Sequence, residues 1–387
     1  MKQGERMKRD ITLKKDYNIK LQSGITKHLT PKYIYLPIFT DDEIISNILV
    51  KREEKISNHL ISPVSGKIVG MKYCLLPNGR VQKCLAILND YKETMLQRHA
   101  IRKKMSKISY EQMLIELKDY HYDDLIAKLQ MAKGVKILIC NGMEDEPYVA
   151  NEIFIGKEDT NMVLETLDAL KEMMSFEQIK MIIKNNDREG IESYSNFLGT
   201  YPNINLQYVP DYYLIAENDF LKDYLQLIEP CLILKPSELR ILYHVLKRRR
   251  YVTETIFTVS GDAIQNPQIM EAKIGSSVKE VLQQHIHFLT QDTVIYINGL
   301  MRGITLETEN LIVTPELTSI LIMKQDHLQE ESCINCGKCY QICPKGCNPR
   351  SYLRSNNKEE IKECIDCGLC SYICPSLINL RKRIKGD

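Results

Sequence analysis

The chain has 387 residues, 44% hydrophobic and 26% charged, with 13 cysteines and a formal net charge of +2. That balance excludes an extended disordered protein, makes no case for nucleic acid as a partner, and leaves room for about two to four compact domains. The longest apolar stretches, such as Val135 to Cys140 and Met181 to Ile183, fall far short of the ~20 residues needed to cross a bilayer, so no direct membrane span is expected.

The N-terminal segment, with basic residues around Glu5, lacks the apolar stretch of a secretory signal, and a cytoplasmic location is expected. Short strands are expected at Tyr33 to Ile38, Ser65 to Leu75 and Arg80 to Leu88, with Asn78-Gly79 turning the last two because both residues accept positive φ. Ser62 to Val69 looks like the strand-turn-strand of a biotinyl or lipoyl-type barrel; it has no Met-Lys-Met carrier site, so a structural β domain is expected.

From about Ile108 to Arg249 strands and helices alternate. Strands are expected at Val135 to Cys140, Gln178 to Ile183 and Ile204 to Val209, and helices at Asn161 to Met174 and Asp187 to Leu198. Such repetition argues for a parallel α/β layer whose ligands bind beyond the carboxyl ends of the strands, here the loop starting at Asn141. A smaller unit follows, with strands at Thr253 to Ser260 and Thr293 to Ile297, turns at Gly261-Asp262 and Asn266-Pro267, and a helix at Ser277 to Phe288. Basic runs at Arg98 to Lys107, Lys247 to Arg250 and Arg381 to Lys385 could meet an acidic partner or an anionic lipid surface; a solvated face is the plainer reading.

Gln325 to Glu331 is a polar hinge into the region that carries the chemistry. Cys333, Cys336, Cys339 and Cys343 precede Pro344, and Cys364, Cys367, Cys370 and Cys374 precede Pro375, each run spaced Cys-x-x-Cys-x-x-Cys-x-x-x-Cys-Pro. Three closely spaced thiolates hold three corners of one cubane while the fourth ligates the other cluster, so two [4Fe-4S] clusters are expected. One would take Cys333, Cys336, Cys339 and Cys374, the other Cys364, Cys367, Cys370 and Cys343. Gly337 and Gly368 suit the crowded loops, and helices are expected around Tyr340 and Tyr372. A pair of zinc knuckles is the alternative for Cys-x-x-Cys pairs, though zinc would use four ligands per site without the crossed cysteine. Cys347 lies outside the pattern, as a spare thiol or a ligand to something unusual.

Taken in order, these pieces resemble the RnfC-like family, the C subunits of Rnf electron-transport complexes. Ser62 to Val69 is similar to the family's barrel-sandwich segment, and Asn141-Gly142-Met143-Glu144-Asp145-Glu146-Pro147-Tyr148 to its Asn-Gly-Ala-Glu-Cys-Glu-Pro-Tyr motif. Thr258 to Pro267 resembles the opening of its soluble-ligand-binding β-grasp (SLBB-like) domain, and Asn298 to Gly303 its Gly-Gly-Pro-Met-x-Gly segment. The resemblance implies a multidomain α/β and α+β chain. Its parts would be a barrel-sandwich β domain at 1–105, a flavoprotein-like α/β domain of the complex I NADH-binding type at 106–249, an SLBB-like β-grasp domain at 250–324 and a helical dicluster ferredoxin domain at 325–387.

The resemblance further implies FMN and NADH in the α/β domain, with Glu144 and Glu146 near flavin and nicotinamide and Asn141 at the strand end. Two glycine loops of the family are missing, one replaced by Tyr120 to Gly134 and the other absent between Val209 and Glu229. Asp145 stands where the family often has cysteine, and three adjacent carboxylates buried together would raise one another's pKa. The expected function is therefore single-electron relay through two clusters between redox partner proteins, either Rnf-type membrane subunits or a soluble reductase, with the chain peripheral on the inner face of the cell membrane through those subunits. An NADH:acceptor oxidoreductase subunit with FMN and a scaffold with structural clusters are the alternatives.

Overall fold

The computed structural model describes residues 24–39, 48–57, 59–96, 99–306 and 308–386; the segment around Glu5, Arg98 and the start of the chain lie outside them. The first strands are β1 (Ile25–His28), β2 (Tyr33–Pro37), β3 (Leu49–Val50), β4 (Gly66–Leu75) and β5 (Val81–Asn89). β2 to β5 form a four-stranded sheet in the order β2-β5-β4-β3, closed over a core that includes Ile34, Leu36, Ile56, Val64 and Ile87. The β4–β5 turn differs from the expected two-residue form. Leu76 N–H donates to Arg80 O at 2.9 Å and only Gly79 has positive φ, at 81°, so three residues turn the chain and the glycine alone takes the left-handed position.

The α/β layer runs α1 (Tyr110–Asp119), α2 (Asp123–Met131), β6 (Ile137–Asn141), α3 (Asn151–Glu158), α4 (Thr160–Met174), β7 (Gln178–Lys184), α5 (Arg188–Ser195), β8 (Ile204–Val209), α6 (Asn218–Tyr224), β9 (Cys231–Leu234) and α7 (Pro236–Leu242). Its four strands are parallel in the order β8-β7-β6-β9. Parallel strands are buried on both faces, which is why they read as continuous apolar runs. Leu138, Cys140, Ile179 and Met181 face the helices, where Val163, Leu164, Leu167 and Leu170 of α4 supply one apolar stripe. Ile137, Ile139 and Ile182 face the other way, against Val209, Ile215, Ala216 and Leu221. Local capping fixes the helix starts: Ser109 Oγ accepts from Gln112 N–H at 3.2 Å, Asp187 Oδ1 from Gly190 N–H at 3.1 Å, and Glu238 Oε2 from Lys235 N–H at 2.8 Å.

The third sheet contains β10 (Glu254–Ser260), β11 (Gln268–Lys273), β12 (Thr293–Ile297), β13 (Ile304–Leu306) and β14 (Ser319–Lys324), with α8 (Val278–His285) packed on it through Val278, Val281 and Leu282. Its order is β1-β11-β10-β14-β12-β13, so β1 leaves the N-terminal strands and pairs in parallel with β11 across more than 200 positions of sequence, Ile25 opposite Ile269. The chain ends in short helices, α9 (Lys338–Ile342), α10 (Pro349–Ser355), α11 (Leu369–Tyr372) and α12 (Leu380–Lys385), set between the cysteine loops.

Candidate functional site

The two cysteine runs fold into matching loops. Asn335 and Asp366 have φ of 62° and 57°, and Gly337 and Gly368 have φ of 73° and 74°, so one backbone trace is used twice, each glycine starting a short helix. The glycines are not equivalent in space. A Cβ on Gly368 would meet Met301 O at 2.4 Å, whereas one on Gly337 would find nothing nearer than Arg350 at 3.7 Å. Glycine is needed at 337 for its dihedral and at 368 for both dihedral and contact.

The chain folds so that each run lends its last cysteine to the other. Cys333, Cys336, Cys339 and Cys374 line one cavity, together with Ile334, Leu353 and Ile378. Cys343, Cys364, Cys367 and Cys370 line the second, together with Pro349, Leu369 and Ile384. Four thiols in an otherwise largely apolar wall are the donor set that a cubane requires, so the residues present fit two [4Fe-4S] clusters. Burial and the neighbouring thiols push Cys370 up to about 12, while burial pushes Cys367 up to about 11. Without iron these are protonated thiols, and loading the site must release protons.

Sequence spacing leaves Cys347 outside the pattern, but it too lines the second cavity. It is buried, its thiol is pushed up to about 12 by burial and by Cys343, and its backbone N–H donates to Cys343 Sγ at 3.2 Å. N–H donors to cluster sulfurs are a recognised means of setting potential. Nothing in the spacing announces this contact.

The second cavity is the inner one. Cys367 is buried against Tyr213, Leu214 and Met301, and the Tyr213 hydroxyl donates to Cys367 O at 2.7 Å. Arg381 forms two 2.7 Å bonds with the Asp366 carboxylate and a third, at 3.1 Å, with Gly303 O. Cys333 and Cys336 of the outer cavity are exposed, as Cys364 of the inner one is, and lie beside solvent-facing Ile334, Tyr340 and Leu377.

Of the strand-end residues, Glu146 reaches toward the inner cavity through Met301, and most of their polar atoms, though not Glu146 Oε1, are bonded within the protein. Asn141 is buried; its Nδ2 donates to Ala216 O at 2.7 Å and its Oδ1 accepts from Met143 N–H at 3.2 Å. Glu144 accepts from Ile153 N–H at 2.9 Å, and Glu146 reaches the third sheet, accepting from Met301 N–H at 2.8 Å. Asp145 turns aside to pair with Lys235 Nζ. Burial, then Glu152, pushes Glu144 up to about 8, and burial pushes Glu146 up to about 7. Glu152, on α3 and absent from the sequence motif, is the carboxylate that acts most on Glu144; it is itself pushed up by burial and bonded by Ser237 N–H and Oγ at 2.9 and 2.6 Å. The expected mutual effect of adjacent acids is thus secondary to burial.

The chain supplies neither of the glycine loops that would cradle the phosphate and isoalloxazine of FMN. The stretch in place of the first glycine loop forms α2, which buries Leu125 and Leu129 in the core and opens with Asp123 and Asp124, two carboxylates where a phosphate would need donors. In place of the second loop, Tyr213, Leu214, Ile215 and Ala216 are all buried, and Ile215 and Ala216 pack beside Met143. The crevice beyond the strands is filled by its own side chains.

Comparison with known proteins agrees with this layout. The family model of the Nuo51 FMN-binding domain matches residues 125–226, and that of a 4Fe-4S dicluster domain matches residues 326–375. The C subunit of the ion-translocating oxidoreductase complex of Pectobacterium atrosepticum is 25% identical over 252 residues, 61% of this chain and 36% of that protein. Its counterpart in Haemophilus influenzae strain PittEE is 25% identical over 331 residues, 78% of this chain and 50% of that protein. The match thus spans only about a third to a half of these curated relatives' length. A crystal structure of a NAD+-reducing [NiFe]-hydrogenase in the H2-reduced state aligns with a TM-score of 0.53 and 12% identity, over 72% of this chain and 61% of that chain, a likeness of fold alone. Among the described residues no helix is long and apolar enough to cross a membrane. The chain is therefore multidomain, with a flavoprotein-like α/β layer and a C-terminal domain of the 4Fe-4S dicluster type for two [4Fe-4S] clusters, and it is similar, at about 25% identity, to the C subunits of ion-translocating oxidoreductase complexes.

Proposed function

We propose that this protein is an electron-transfer subunit that relays single electrons between redox partner proteins through two [4Fe-4S] clusters. One cluster is held by Cys333, Cys336, Cys339 and Cys374, the other by Cys343, Cys364, Cys367 and Cys370. The observation that carries this reading is the exchange of the fourth cysteine between the two cavities, since it interlocks the two sites in the manner of a two-cluster ferredoxin. When bound, the clusters supply one-electron chemistry. The chain itself supplies thiolate ligands, a buried Cys367 side to the inner site, and an exposed approach to each site, at Cys364 and at Cys333 and Cys336.

Partners of the Rnf membrane-complex type are proposed from the kinship to the RnfC-like proteins, with the chain peripheral on the cytoplasmic face; a soluble reductase is the other partner class. The β2–β5 sheet is proposed to be the barrel-sandwich domain and the sheet containing β10 to β14 the SLBB-like domain, with the divisions 1–105, 106–249, 250–324 and 325–387.

A second reading, FMN bound in the α/β layer with NADH as hydride donor, is favoured by the match of the FMN-binding family model to residues 125–226. One experiment separates the two. Anaerobically purified protein is assayed for iron, for absorbance near 400 nm and for FMN released by acid. About eight irons per chain without flavin is the expected outcome; stoichiometric FMN would move the NADH reading to first place, and absence of iron would sink both.

A further inference from the structure

Between the inner cavity and the α/β layer lies one arginine that the cluster motif does not explain. Arg302 follows Met301, whose carbonyl abuts Gly368 in the inner cysteine loop. It pairs with Glu217 from the α/β layer, its Nε stands 3.9 Å from Glu146 Oε1, and it lies beside the Tyr213 hydroxyl that bonds to Cys367 O. Its Nε and Nη2 are buried without a hydrogen-bond partner, as is Glu146 Oε1. A guanidinium with two unmatched donors is a costly arrangement unless another charge offsets it. Arg381, by contrast, is held bidentately by Asp366, while Lys345 has one carboxylate partner, Asp219.

We propose that Arg302 is a positioning residue whose buried positive charge raises the reduction potential of the inner cluster above that of the outer one. The inference rests on the two-cluster reading. Reduction adds one electron, drawn from a one-electron donor protein, to a site already negative from four thiolates; no proton moves and no other bond changes. A cation nearby favours the more negative state, and it does so most where water cannot screen it. Cys364 of the inner site is exposed, as Cys333 and Cys336 of the outer one are, but Cys367 is buried and the loop that carries it abuts Met301, next to Arg302, so the same charge acts unequally on the two sites. The electron then rests on the inner cluster unless a partner at the outer surface draws it away. This would hold charge inside the subunit between encounters.

The test is an anaerobic redox titration of the full chain, with both clusters followed by electron paramagnetic resonance. In Arg302→Gln one of the two reduction waves should fall by about a tenfold change in its equilibrium constant, which for one electron is about 59 mV, while the other stays in place. Arg302→Lys should restore most of the loss. Glu217→Gln, which removes the opposing charge, should move the same wave upward, and it decides the matter if Arg302→Gln loses iron. Both waves moving together, neither moving, or the lysine variant behaving like glutamine would overturn the proposal. A wild-type protein that holds no iron would instead overturn the two-cluster reading beneath it.

Discussion

The inner and outer cysteine loops share a spacing and a backbone, yet they sit in different surroundings. The outer loop meets solvent through Cys333 and Cys336, and its glycine touches little. The inner loop is held by Tyr213, Met301 and the Arg381–Gly303 contact, groups supplied by the α/β layer, the third sheet and the chain terminus. A repeated motif specifies its own turn but not the medium around it. With iron–sulfur sites that medium is much of the chemistry, because burial, nearby charge and hydrogen bonds set the potential.

The sharpest way to break this comparison is to place the same methyl group in both loops. Gly337→Ala should cost only the left-handed penalty, about 1–2 kcal/mol, and keep a full complement of iron. Gly368→Ala adds a collision with Met301 O at 2.4 Å. It should cost about 3 kcal/mol or more and separate the loop from the third sheet, visible as a larger drop in melting temperature and a loss of about half the iron. Equal effects at the two positions would show that the inner contact is soft.

The pH dependence of stability tests the same side of the molecule. Glu144 and Glu146 are raised in the folded protein, to about 8 and about 7, so the fold binds more protons than the unfolded chain between about pH 4.5 and those values. Stability is therefore highest toward the acid end of that window and falls as pH rises toward 8, on the order of 5 kcal/mol for Glu144 across the whole window and less over any part of it. Melting temperatures of the anaerobic protein from pH 5.5 to 8.5 should show the decline, and Glu144→Gln should flatten it. A flat wild-type profile would mean that water reaches these carboxyls.

The smallest expected effect is that of Tyr213→Phe. Losing the bond to Cys367 O should cost about 1 kcal/mol and leave iron content unchanged. Faster hydrogen exchange confined to residues 364–370 would be the signature; exchange spread over both loops would contradict the asymmetry.

Much of the architecture was legible because it is written in short-range pattern. Ile204 to Val209 and Thr293 to Ile297 are strands with the expected limits, and Thr160–Met174 starts one residue earlier than its apolar stripe suggests. The two-cluster content followed from doubled spacing, which few other sites require. What the sequence concealed has long-range causes. α2 carries no unusual composition, and it matters only because it stands where a phosphate loop would be expected. Pairing of β1 with β11, and the placement of Cys347 beside the inner quartet, depend on segments far apart or on a loop's detailed path.

By itself, then, the sequence determined the elements whose cause lies within a few residues: cysteine loops, amphipathic helices and buried parallel strands. Only the tertiary structure decided that Asn141, Glu144 and one oxygen of Glu146 bond to the protein's own backbone, that Ile215 and Ala216 pack beside Met143 at the strand ends, and that Arg302 follows the residue that abuts the inner loop. Spacing constrains dihedral angles locally, whereas burial and electrostatic environment are sums over groups that meet only after the chain has closed upon itself.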